Sequence, residues 1–138
     1  MKRVIRQYTE EELEEIYGMS RIGWIPEGTE NTIEVYVHTN DPGNIPHFHV
    51  RKYGRNNNYD WEVCIKFESA EYFSHGRYSG KLPNRKVAKQ LDDMLRDINK
   101  SSRYQGTYWE RAIDEWNMNN SQIQLPLDLE QPDYSKLS

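Results

Sequence analysis

From Tyr59 to Phe67 the chain alternates without a break. Tyr59, Trp61, Val63, Ile65 and Phe67 share one parity, and Asp60, Glu62, Cys64 and Lys66 the other. A period of two belongs to a β-strand, whose successive side chains point to opposite faces. The apolar parity is large, so the chain must build a sheet with a second layer covering that face. Two further runs repeat the pattern. In Thr32 to Thr39, Ile33, Val35 and Val37 oppose Glu34, Tyr36 and His38. In Pro46-His47-Phe48-His49-Val50, which continues to about Tyr53, the histidines share one face and Phe48 and Val50 the other. The turn clusters Asn40-Asp41-Pro42-Gly43-Asn44 and Gly54-Arg55-Asn56-Asn57-Asn58 separate the runs, and turns this short imply an antiparallel meander. A weaker strand is expected over Glu71 to His75. Residues 18–31, with Gly18, Gly23, Pro26 and Gly28, read as a loop anchored by Trp24 and Ile25.

The period then changes. Val87, Leu91, Met94, Leu95 and Ile98 follow Pro83-Asn84 at helical spacing, with Asn84 as N-cap. Thr107 and Glu110 have the spacing of a capping box, and Tyr108, Trp109, Ala112, Ile113 and Trp116 form the apolar stripe of a second helix running to about Met118. A similar box at Thr9 and Glu12 starts a short helix from about Glu10 to Tyr17, with Gly18 to end it. The fold expected is α+β: an antiparallel sheet of three to four strands, packed by two C-terminal helices, with a short N-terminal helix. Residues 1–119 form one domain and residues 120–138 a polar tail. Within the tail, Gln122-Ile123-Gln124-Leu125-Pro126-Leu127 is a loose version of the peptides that bind the bacterial sliding clamp. The reading preferred is a segment packing along its own domain.

The 138 residues suffice for one core, and four Trp and ten Tyr supply large side chains for it. A net charge of −4 argues against nucleic-acid binding through overall charge, though not against a local basic patch. The single cysteine, Cys64, allows no internal disulfide and fits a reducing compartment. Basic residues Lys2, Arg3 and Arg6 have no apolar run behind them, and no stretch has the length of a membrane span. The expected location is the cytoplasm, with no membrane association.

The Pro46-His47-Phe48-His49-Val50 strand is followed by Gly80-Lys81-Leu82-Pro83 and Arg85 opening a helix, then by a second helix with Trp109 and Trp116. In this order the motifs resemble the bacterial family termed domain of unknown function 4160, over residues 33–117. The resemblance implies an intracellular bacterial protein, a component of a toxin–antitoxin-like module that acts through a protein partner. Two departures stand out. The stretch from Glu68 to Tyr78 is longer than the usual turn. Asn99-Lys100 stands where relatives often carry a His-Arg pair, which removes a third histidine from that position.

Three chemistries are open to His47 and His49. They can serve as acid and base in RNA cleavage, with Lys81 and Arg85 on phosphate. They can bind a metal, given further ligands from His38, Glu62 or Cys64. Or they can be structural, hydrogen-bonded at the strand entrance. The residues assigned are His47 and His49 as the catalytic pair and Lys81 and Arg85 as phosphate-binding, with no metal ligand set and no cofactor. Arg51, Lys52 and Arg55 can extend the basic patch of Lys81, Arg85, Lys86 and Lys89, although that run also reads as a solvated helix face balanced by Asp92, Asp93 and Asp97. Cys64 is expected to be a buried thiol. The leading function is a protein-interaction component; the alternatives are an RNA-directed enzyme and a metal-binding protein.

Overall fold

The computed structural model describes residues 19–27, 30–38, 45–54, 58–74, 78–99, 106–120 and 122–137. Four strands, β1 (Met19–Glu27), β2 (Glu30–His38), β3 (His47–Tyr53) and β4 (Tyr59–Lys66), form one antiparallel sheet in chain order. Helices α1 (Arg85–Arg96) and α2 (Tyr108–Asn119) follow, then a 3-10 turn at Tyr134–Lys136. The α+β architecture with two C-terminal helices is the one the periodicities require. The short helix expected at Glu10 to Tyr17 lies outside the described residues, as do the turn at residues 40–44 and part of that at 54–58.

Two expectations about strands are corrected. Residues 19–27 are not a loop but the edge strand β1. Gly23 and Pro26, the residues that suggest a loop, sit beside register shifts between Arg21 and Gly23 and between Ile25 and Pro26. A bulge absorbs an irregular residue without ending the strand, and an edge strand tolerates proline. Gly23 has a further role. A Cβ there would lie 2.6 Å from Met94 Cε and 3.1 Å from Tyr108 Cε1, so its bare backbone lets both helices close onto β1. Conversely, of the strand expected at Glu71 to His75 the described residues 71–74 form one bridge, Ile65 to Tyr72, flanked by Lys66 N–H to Glu71 O and Phe73 N–H to Cys64 O, both 2.9 Å; His75 lies outside the described residues.

The helices cover the apolar parity of the strands. Ile25, Ile33, Val35, Phe48, Val50, Val63 and Ile65 join Val87, Ala88, Leu91, Leu95, Trp109, Ala112, Ile113 and Trp116 in one core. Each fully buried aliphatic or aromatic side chain of this kind contributes about 1.5–3 kcal/mol. Both helix starts are capped as their sequences require. Asn84 Oδ1 accepts from Val87 N–H at 3.0 Å, and the Thr107–Glu110 box is closed in both directions. No helix among the described residues is long and apolar enough to cross a membrane.

The segment after α2 is docked onto the domain. Trp116 Nε1–H donates to Ile123 O and Trp109 Nε1–H to Leu129 O, both at 2.8 Å. Buried Asp92 accepts from Tyr134 N–H at 3.0 Å and from Gln131 Nε2 at 2.9 Å. Tyr134, fully buried, donates its hydroxyl to Lys66 O at 2.7 Å. Leu125 is buried too, so the clamp-like peptide is anchored on its own domain there, while Leu127 stays 73% exposed.

Candidate metal centre on the polar face of the sheet

The register decides which side chains of the other parity meet. β2 and β3 pair Tyr36 with His49 and Glu34 with Arg51. β3 and β4 pair His49 with Cys64, Arg51 with Glu62 and His47 with Lys66. Tyr36, His49 and Cys64 therefore form one row across three strands, with Glu34, Arg51 and Glu62 in the row beside it. Alternation alone leads one to expect this face to be wet. Its centre is dry instead: Glu34, His47 and His49 are 0% exposed, Tyr36 and Cys64 1%. Part of the cover comes from the stretch after β4. Phe73 meets the His47 ring at 4.6 Å between centroids and Tyr78 meets His49 at 5.1 Å. At the strand entrance His47 also reaches Trp116, at 5.7 Å.

Burying polar groups is tolerable only when their hydrogen bonds are made. Here they form two connected clusters. In the first, Glu34 accepts from Arg21 Nε at 2.5 Å, from Arg51 Nε at 2.8 Å and from the Tyr53 hydroxyl at 3.1 Å. Arg51 lies against the rings of Tyr36 and Tyr59, each 4.3 Å from guanidinium carbon to centroid. Burial, with Glu34 close by, pushes the Tyr53 phenol up to about 12. Arg51 is thus an interior cation, not part of a basic surface patch.

In the second cluster Glu62 is the hub. The Tyr36 hydroxyl donates to Glu62 Oε2, and His49 Nδ1 lies 3.2 Å from the same oxygen. Burial pushes the Glu62 carboxyl up, but its hydrogen bonds from His49 and Tyr36 outweigh that and hold it below the ordinary range. Burial and the neighbouring carboxylate raise the Tyr36 phenol far above its usual value. Tyr36 stacks on the His49 ring at 4.9 Å and 27°.

Cys64 completes the arrangement. Its Sγ is 3.3 Å from His49 Nδ1 and 3.7 Å from Nε2. One donor atom each from His47, His49 and Cys64 lie within 4.8 Å of one another, and all three residues are buried. His47 Nδ1 is 2.7 Å from Ile45 O. A carbonyl only accepts, so Nδ1 carries the proton and a neutral ring presents its lone pair at Nε2. By the same reasoning the Glu62 carboxylate holds a proton on His49 Nδ1 and leaves Nε2 for a ligand. A thiol beside an imidazole is also the arrangement of a cysteine nucleophile, but a thiol closed off from solvent is inert.

Of the residues assigned from sequence, His47 and His49 come together and Lys81 and Arg85 do not join them. Lys81, four residues before α1, and Arg85, its first residue, are both exposed, and α1 packs on the apolar face. Next to them Lys89 pairs with Asp93 at 3.0 Å, as a solvated helix face does. The spacing predicts no metal ligand set; the fold brings His47, His49 and Cys64 close enough for one ion to reach all three. Cys64 was among the third ligands considered, and only the register singles it out. The roles of Glu34, Tyr36 and Arg51 were not anticipated. Alternation marks the parity of all three, but nothing local shows that they are dry. No family model, curated protein or solved structure matches the chain. The likeness to the domain of unknown function 4160 family thus stands on its motifs alone.

Proposed function

We propose that this is a metal-binding protein whose centre is built from His47, His49 and Cys64. The observation that carries the reading is the convergence of three buried donor atoms within 4.8 Å on two neighbouring strands. The chemistry of the set fits a thiophilic divalent ion such as zinc, which takes cysteine sulfur at about 2.3 Å and histidine nitrogen at about 2.0–2.1 Å. Tetrahedral geometry at those bond lengths separates sulfur from nitrogen by roughly 3.6 Å; Cys64 Sγ stands 3.3 Å from His49 Nδ1 and 3.7 Å from Nε2, so the imidazole or the thiol has to turn before Nε2 and Sγ can share an ion. Hydrogen bonds from the outer ring nitrogens to Ile45 O and Glu62 orient both imidazoles, as supporting groups do around metal-bound histidines. Competition for zinc against a chromophoric chelator tests this. One equivalent is expected to bind the full chain, and His49→Ala and Cys64→Ser are each expected to abolish stoichiometric uptake. Equal binding by the wild type and both variants, or none by the wild type, overturns the proposal.

The role of interaction component in a toxin–antitoxin-like module draws its support from the motif resemblance and is compatible with a metal-stabilised fold. The RNA-directed reading is weakened by burial, because neither imidazole is exposed to a phosphodiester.

A further inference from the structure

A zinc-class ion takes four ligands, and the fold gathers donors from His47, His49 and Cys64. Monovalent copper is satisfied by three, and thiolate with imidazole suits it. We propose that the centre is three-coordinate and that copper(I) is the ion it holds most tightly. The inference rests on the metal reading of the preceding subsection and deepens it by naming the coordination number and the preferred ion.

The side chains around the three donors are committed elsewhere. Glu62 receives the Tyr36 hydroxyl and faces His49 Nδ1, a supporting position behind the ligand. His38 is packed on the rings of His49 and Tyr36, at 4.6 Å and 5.2 Å between centroids, and is not among the converging residues. Lys66, level with His47, is cationic and pairs with Glu71 at 3.6 Å. Two of the rings that lie against His47 offer no lone pair. Phe73 has no polar atom, and Trp116 donates its N–H to Ile123 O. Water is disfavoured by the dryness of the cluster, none of whose three residues is more than 1% exposed. His75 lies outside the described residues.

Charge points the same way. Two neutral imidazoles and one thiolate carry a single negative charge. Copper(I) cancels it, whereas a divalent ion leaves one positive charge over. An uncompensated charge in a dry interior is costly. The carboxylates of this face are already engaged. Glu34 lies between Arg21 and Arg51. Glu62 is bonded by Tyr36, faces His49 and is level with Arg51.

Copper(I) and zinc are titrated separately into the full chain, without oxygen, each against a chromophoric chelator of its own. One equivalent of either ion is expected to bind, with copper(I) held at least ~100-fold more tightly. X-ray absorption at the copper edge then reads the shell. The wild type is expected to show one sulfur, two imidazoles and the edge feature of three-coordinate copper(I). His38→Ala is expected to leave that spectrum unchanged, and His49→Ala to remove one imidazole. A third imidazole or an oxygen in the wild-type copper shell overturns the coordination number. Zinc held as tightly as copper(I) overturns the preference and leaves the three-donor centre standing. Failure of the wild type to bind either ion overturns this inference and the metal reading together.

Discussion

On the helix-facing side of the sheet, Ile33, Val35, Phe48, Val50, Val63 and Ile65 are at most 1% exposed and pack beneath α1 and α2. On the other side Glu34, Tyr36, His47, His49 and Cys64 are no more exposed. The first group is held by contacts that need only the right volume. The second is held by directional bonds, each of which needs a particular partner: Glu34 needs Arg51, and Glu62 needs Tyr36 and His49. These two dry groups on opposite faces of one sheet therefore have different failure modes. Truncation on the apolar face leaves a cavity, whereas truncation on the polar face strands a charge.

The largest expected effects expose that difference. Glu34→Ala leaves the Arg51 guanidinium buried without its carboxylate, and a loss of about 3–5 kcal/mol in chemical denaturation is expected. The double change Glu34→Leu with Arg51→Met is expected to cost much less than either single change, because it removes both charges together. On the apolar face, Phe48→Ala is expected to cost about 3–5 kcal/mol, and no second truncation there should recover it. If Glu34→Leu with Arg51→Met is no better tolerated than the single changes, the polar face is not organised by this pair.

Smaller effects sharpen the comparison. Asn84→Ala removes the side-chain acceptor at the start of α1, and a loss of about 1 kcal/mol is expected. Tyr53 gives a signature in pH. Its phenol is raised to about 12 by burial and by Glu34, against 10.0 for the free group. The folded state therefore holds the proton more tightly, and the stabilisation is complete below pH 10 and lost as the pH rises through 12. Between those limits the wild type should lose stability with pH more steeply than Tyr53→Phe; parallel curves would show that burial and Glu34 do not raise the Tyr53 phenol. Smallest of all, Lys89→Ala breaks only a surface ion pair, and a change within about 0.5 kcal/mol is expected.

The same division governs what could be read beforehand. The apolar face was legible because burial there follows from a period: Val63 and Ile65 need no partner identity, only a layer above them. The two helices and their caps were legible for the same local reason, since Asn84 and Thr107 act within one turn. β1 was missed because Gly23 and Pro26 are loop-formers by local chemistry, while the bulges that accommodate them are set by pairing with β2. The polar face was half legible. Alternation put His47, His49, Glu62 and Cys64 on the right parity, but a centre needs register, which links residues many positions apart. Arg51 looked like surface charge because its partner, Glu34, is 17 residues away.

The central claim is that the second face is organised around a histidine–thiolate metal centre. Cobalt(II) substitution tests it most directly, because a cobalt–thiolate bond has its own charge-transfer absorption. Titration of the full chain is expected to raise sulfur-to-cobalt bands that saturate at one equivalent, are displaced by zinc and are lost in Cys64→Ser. A titration that raises no such bands, or raises them equally in Cys64→Ser, would contradict the claim and leave His47, His49 and Cys64 as parts of a hydrogen-bonded polar core.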